Sequence, residues 1–295
     1  MSLLFGLAAA ICWGSADLLA RFSTRIIGTY RTLFFMQVFG FVGLGVYLIA
    51  TGDLSKLSAH SRWQPWAWAF LFAALNTLSS LALYRSFEVG VLSVVSPIAA
   101  SYAALTTLLA LLTGERITAL HGAGIAAALA GVILAAITPD SATDEGDQTK
   151  AKRASRLTRG VGWALAAALG YGVLFWLLGF EVVPQLGSIA PIWLARMGTL
   201  ALLALFARPA RQSLKIPRGR VWWCLAGTGV LDTLAYIADA IGLSSGNVAI
   251  VTVLASLFSA VTVVLAWMLL RDRLHRSQWL GIAIIFAGVV LVSLP

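Results

Sequence analysis

The chain has 295 residues, of which 60% are hydrophobic and only 11% charged, with a formal net charge of +9. An ordinary soluble domain carries about 25% charged residues, so a water-soluble enzyme or binding module is excluded. The positive balance would suggest nucleic acid in a soluble protein. Here the basic residues fall between long apolar stretches, where they meet lipid headgroups, and no nucleic-acid partner is expected.

A helix crossing the hydrocarbon core needs roughly 20 mostly apolar residues. Ten such stretches follow one another, near residues 3–22, 32–50, 66–87, 91–112, 118–137, 160–180, 188–207, 221–243, 247–269 and 277–294. They predict an all-α membrane protein with ten transmembrane helices. The first stretch reads as a retained helix, because its first Lys or Arg is Arg21 and no basic segment precedes it as in a signal peptide. Cys12 and Cys224 fall inside predicted helices and read as small packing residues, not as a disulfide. Between the fifth and sixth stretches, residues 138–159 (TPDSATDEGDQTKAKRASRLTR) carry charges of both signs and too little apolar surface to fold alone. This polar linker separates residues 1–137 from 160–295.

The two halves repeat each other. A shift of 156 residues carries Gly6, Ala8, Ala10, Gly14 and Leu18 onto Gly162, Ala164, Ala166, Gly170 and Leu174. It also carries Trp66, Leu75, Thr77, Leu78 and Ala82 onto Trp222, Leu231, Thr233, Leu234 and Ala238, and Ala99, Ala104, Thr106 and Leu109 onto Ala255, Ala260, Thr262 and Leu265. One inserted residue later, Glu115-Arg116 meets Asp272-Arg273. The second and seventh helices align poorly. Five is an odd number, so consecutive repeats enter the membrane with opposite orientation. That is the inverted-repeat plan of secondary transporters, whose substrate site lies at mid-membrane between the halves.

On these residues the chain resembles the ten-helix EamA-type branch of the drug/metabolite transporter superfamily over essentially its whole length. The similarity is carried by CWGSAD at 12–17, GERITALHGAGIAAALAGVILA at 114–135, ASLFSAVTVVLAW at 255–267 and RDRLHRSQWLGIAIIFAGVVLV at 271–292. The resemblance implies an exporter or exchanger of amino acids, nucleotide sugars or related metabolites. One branch of the superfamily exports aromatic amino acids.

Orientation follows from the basic residues. The loops after odd-numbered helices hold 17 Lys and Arg, whereas the opposite loops hold only Lys56, Arg62 and Arg116. The basic side is expected to be cytoplasmic, which puts both termini outside and the 138–159 linker inside, in a bacterial inner membrane.

Ionisable residues at membrane depth are costly and are functional candidates. They are Asp17, Arg196, Asp232 and Asp239. Asp232, Tyr236 and Asp239 share one face of the eighth helix, and the matching stripe on the third begins with Asn76 and Ser80. Arg196 and Asp232 are either a structural ion pair or complements to the carboxylate and ammonium groups of an amino acid. Asp17 is a proton-coupling candidate, or else a partner of Arg21 one turn on. Asp239 is placed near the outer surface.

Among the aromatics, Trp13, Tyr84, Tyr102, Trp163, Tyr171, Trp176, Trp193 and Tyr236 are candidates for a cavity wall, suited to flat or apolar substrates. Gly14, the Gly170–Gly172 pair and Pro97 suggest bends in gating helices. Small residues in the fifth and tenth helices, such as Gly131 and Gly288, read as scaffold packing.

Other function classes fare worse. No G-x-x-x-x-G-K-[ST] loop is present for a nucleotide-driven pump, and no cofactor or metal is expected. His60, His121 and His275 all fall in loops, without a zinc-like spacing or a G-x-S-x-G nucleophile motif. A channel or non-catalytic membrane scaffold is the main alternative, with a nucleotide-sugar or cationic-drug carrier as the alternative within transporters.

Overall fold

The computed structural model describes residues 2–52, 63–136, 160–244, 248–270 and 276–293. Within a bilayer every backbone N–H and C=O must be satisfied internally, and long apolar runs therefore close into helices. The described residues form ten rods: α1 (Ser2–Ile27), α2 (Thr29–Thr51), α3 (Gln64–Val89), α4 (Leu92–Ala100 continuing as Tyr102–Leu112) and α5 (Ala119–Ala136). The second half supplies α6 (Val161–Leu177, a π turn at Leu178–Val182, then Val183–Leu186), α7 (Ala190–Phe206) and α8 (Val221–Leu243). It ends with α9 (Val248–Ala255, Phe258–Leu265 and a π turn at Ala266–Leu270) and α10 (Arg276–Ser293). No strand occurs among the described residues. Seven of the rods are long and apolar enough to cross a membrane, and α5, α7 and α10 are shorter. The linker and the Asp272-Arg273 pair lie outside the described residues.

Packing repeats with the sequence. Helix α1 lies against α8 and α9, as α6 lies against α3 and α4; α2 meets α8 as α7 meets α3. The remaining pairs, α2 with α7, α4 with α9 and α5 with α10, bring equivalent helices together around a common two-fold direction. Tyr102 and Phe258 are one 156-residue step apart and stack on each other, with ring centroids at 6.3 Å and planes at 16°. Gly40 and Arg196 are also one step apart. A Cβ placed on Gly40 would lie 2.5 Å from Thr233 Oγ1 and 3.2 Å from Arg196 Nε. The arginine thus fills space that its own counterpart leaves free.

The glycines of α1 and α6 do not interrupt their helices. Both helices run unbroken through Gly14, Gly170 and Gly172. A Cβ on Gly14 would collide with Val261, and one on Gly172 with Leu105, at 2.6 and 2.7 Å respectively. Val261 and Leu105 are equivalent residues, so close helix packing is the role both repeats preserve. Nor is Pro97 the cause of the interruption in α4. Helix α9 breaks at the matching place without a proline, and at each break a serine hydroxyl donates three residues back: Ser101 to the Ile98 carbonyl and Ser256 to the Val253 carbonyl, both at 2.7 Å.

Side chains tie both ends of the bundle. The Arg21 and Arg25 guanidinium groups donate to the Phe87 and Gly90 carbonyls at the C-terminal end of α3, where cations complement the helix dipole. Glu88 accepts from both the amide and the hydroxyl of Thr29. At the other end, the Glu115 carboxylate accepts from the Ala249 amide at 3.0 Å and so caps the start of α9 from the other repeat. Burial pushes the Glu115 carboxyl up from its ordinary value, and the Ala249 and Val248 amides pull the other way.

Candidate functional site

Helices α1, α3, α6 and α8 face one another in the middle of the bundle and place their polar residues inward. Asp232 of α8 stands at the focus. One carboxylate oxygen accepts from Trp13 Nε1 at 3.1 Å, and the other meets Arg196 Nη1 at 2.6 Å. Arg196 is 2% exposed, and the same nitrogen also donates to the Gln37 side-chain oxygen. Its guanidinium carbon lies 5.2 Å from the centre of the Tyr236 ring. The charge of Arg196 is thus held by an acid, an amide oxygen and an aromatic face. The ion-pair arrangement is the one present.

A second layer holds the first. Tyr236 donates to Asn76 Oδ1 at 2.7 Å, Asn76 Nδ2 donates to Thr199 at 3.3 Å, and Thr77 donates to the same threonine at 2.9 Å. These bonds run between α8, α3 and α7 and fix the tyrosine ring. Ser80 and Tyr171 share a hydrogen bond of 2.9 Å, and the Tyr84 hydroxyl donates to the Met36 sulfur.

The rings surround Phe175. Trp13, Tyr102, Tyr171 and Tyr236 lie at centroid distances of 5.4, 4.8, 5.9 and 6.0 Å from it, and Trp13 meets Tyr236 edge-on at 5.1 Å. They line a cavity of about 40 Å3, room for a few waters. Its lining residues include the acids Asp17 and Asp232, the hydroxyl-bearing Ser80, Tyr84, Tyr102, Tyr171 and Tyr236, and the aromatic Trp13, Phe175 and Phe258. Asp17 is buried and accepts from Thr262 of α9 at 3.3 Å. Arg21, the alternative partner, is turned away to the Phe87 carbonyl.

The structure therefore gathers Trp13, Asp17, Ser80, Tyr84, Tyr102, Tyr171, Asp232 and Tyr236 on one wall, with Asn76 and Arg196 directly behind it. Three other candidates stand elsewhere. Trp163 is 52% exposed on the outside of the bundle, because it lies near the start of α6 on the face away from α3 and α4. Trp176 donates to Thr113 and stacks on Phe180, one turn along its own helix. Trp193 stacks on Phe41. Asp239 does not lie at a solvated mouth: it is fully buried and off the cavity wall.

Sequence reading passed over Gln37, Met36, Phe175 and Phe258. Gln37 carried a signal, being an amide in the middle of the apolar run LFFMQVFG. Phe175 carried none, since a phenylalanine in an apolar helix is as well placed against lipid as against a cavity. Among the described residues no group of three or more His, Cys, Asp and Glu could hold a metal ion.

An inverted pair of five-helix bundles, with carboxylates and aromatic rings converging on a small space between them, is the architecture of a membrane transporter of small solutes. The EamA-like transporter family matches residues 1–137 and 158–294, one repeat each, and the chain belongs to that family. A crystal structure described only as that of a protein is similar throughout, with a TM-score of 0.73 and 19% identity over 99% of this chain and 96% of that one. This likeness extends to the fold alone. No curated protein matches the sequence.

Proposed function

We propose that this transporter exchanges small amphipathic solutes that bear an ammonium group, amino acids and aromatic ones in particular, by alternating access to the cavity between the repeats. The observation that carries this reading is the cavity wall itself. Two carboxylates, Asp17 and Asp232, stand among the rings of Trp13, Tyr171, Phe175 and Tyr236, and the one central cation is already bound behind Asp232. An ammonium group would find counter-charge at the acids and an attractive ring face beside them. A flat apolar body would stack on Phe175 and its neighbours. At about 40 Å3 the cavity is far smaller than ordinary ligand sites. A metabolite enters only if the repeats part, which favours a carrier over an open channel.

The test is counterflow of labelled phenylalanine into liposomes holding purified protein and excess unlabelled phenylalanine. Saturable uptake, strongly reduced by Phe175→Ala in a protein that remains folded, is the expected result. A second reading, an organic cation lacking a carboxylate, is favoured by the absence of a Lys or Arg from the cavity wall among the described residues. Under it, phenethylamine competes and phenylalanine does not. Counterflow of a nucleotide sugar alone would refute both substrate readings. Flux without counterflow for any solute would point to a channel.

A further inference from the structure

Helix α8 carries a second acid that the site described above leaves unused. Asp239 lies seven residues beyond Asp232, about 10 Å along the helix. It is 0% exposed, and neither carboxylate oxygen has a hydrogen-bond partner among the described residues. An ionised carboxylate in such a place is among the costliest groups a membrane protein can bury, whereas the neutral acid is far cheaper. Packing does not require it. The 156-residue step puts Leu83 at the equivalent position, and Leu83 is buried there without a polar atom.

Among the described residues the surroundings supply no counter-charge. Helix α8 packs against α1, α2, α7, α9 and the π turn of α6. The described part of α9 has no titratable side chain. Asp17 of α1 accepts from Thr262, Arg196 of α7 is held by Asp232 and Gln37, Glu181 of the π turn accepts from Gln185, and Cys12 of α1 is a half-buried thiol. Arg21 and Arg25 bind the α3 carbonyls, Tyr30 and Arg31 of α2 bind the Leu203 and Lys215 carbonyls, and Tyr47 is exposed.

We propose that Asp239 is a proton-carrying site distinct from the solute cavity, on the same helix that presents Asp232 to it. It holds a proton in the closed arrangement. When the repeats part on the side of the α8 C-terminus, the acid O–H breaks, the proton passes to water and the carboxylate remains; re-protonation reverses the step. Solute moving one way is thereby exchanged for a proton moving the other. This proposal rests on the transporter reading above.

Two measurements test it separately from that reading. Infrared spectra of membrane-embedded protein at neutral pH should show a carboxylic-acid C=O band that is diminished in Asp239→Asn and returns, shifted, in Asp239→Glu. In liposomes, an acid-inside pH gradient should drive accumulation of labelled phenylalanine by the wild type. Asp239→Asn should keep at least half of the counterflow while losing the gradient-driven accumulation, and Asp239→Glu should regain part of it. An infrared band unchanged in Asp239→Asn overturns the proposal whatever the solute, as does gradient-driven accumulation that survives the substitution. If phenylalanine shows no counterflow in the wild type, the substrate reading falls and the infrared result alone decides the role of Asp239.

Discussion

Replacing Arg196 by Met leaves Asp232, 14% exposed in its side chain, with Trp13 Nε1 as its remaining donor among the described residues. Replacing Asp232 by Asn is gentler, because the amide oxygen still accepts from Arg196 or Trp13 and only the charge is lost. Removing one member of a buried ion pair costs about 3–5 kcal/mol in soluble proteins, while neutral polar contacts between membrane helices average about 0.6 kcal/mol. The Arg196–Asp232 contact is short, charged and enclosed, so Arg196→Met should fall in the first range and Asp232→Asn near about 2 kcal/mol. The double variant should recover much of the loss, since neither charge is then stranded. The assay is equilibrium unfolding in bicelles for all four proteins, read as a double-mutant cycle. A coupling of about 1.5 kcal/mol or more is expected. Additivity of the two single effects within about 0.5 kcal/mol would refute the pairing argument.

Other consequences can be measured alongside. Gly40→Leu should displace the Thr233 hydroxyl, 2.5 Å from the new Cβ, and crowd the Arg196 side chain, 3.2 Å from it, destabilising the bundle by about 1–3 kcal/mol; Gly43→Leu, at a position where a Cβ meets nothing within 4 Å, should leave the same unfolding curve almost unchanged. Glu115, at a helix end outside the spans, has its carboxyl raised by burial. A raised carboxyl favours the folded state below its ordinary value of 4.5, and that advantage is lost as pH climbs through the raised value. Wild-type stability should therefore decline on moving up from pH 4.5, and Glu115→Gln should flatten the decline, as followed by thermal unfolding across that range. For orientation, a single cysteine at Ser141 in a background lacking Cys12 and Cys224 should react with impermeant maleimide only after the cytoplasmic face is opened; labelling of intact cells would reverse the charge-based topology.

The ten rods and their division into repeats were legible because both leave additive signals. Apolar length marks each span, and one constant offset marks the duplication across α1, α3, α4 and their partners. The offset fades in α2 and α7, where Gly40 of one helix stands against Arg196, its own counterpart, on the other. Charged and amide residues of the site stood out against an apolar background, as Asp17, Asp232 and Arg196 did. Their pairing did not, because Arg196 could as well have turned to a solute as to Asp232. Aromatic side chains were the least readable. Trp13 and Trp163 occur in equivalent first helices of the two repeats, yet one bonds Asp232 inside and the other is exposed outside. Depth along the helix and the face each takes separate them, and the second cannot be read from runs such as WALAAALGYG, which are apolar on every face.

The contrast between Gly40 and Arg196 has a historical and an energetic side. Two identical five-helix chains meeting as a symmetric dimer would place two copies of any residue at that crossing, either two arginines in collision or two glycines with no cation between them. An arginine there, neutralised by one aspartate, is available only once the halves are fused and free to diverge. Fusion also removes a degeneracy. In a perfectly repeated carrier the inward-facing and outward-facing states are images of each other and equal in energy. Under the alternating access proposed above, Arg196, Gln37 and Asp232 all favour one pairing of helices, so the two states would differ in energy and one side would be preferred at rest.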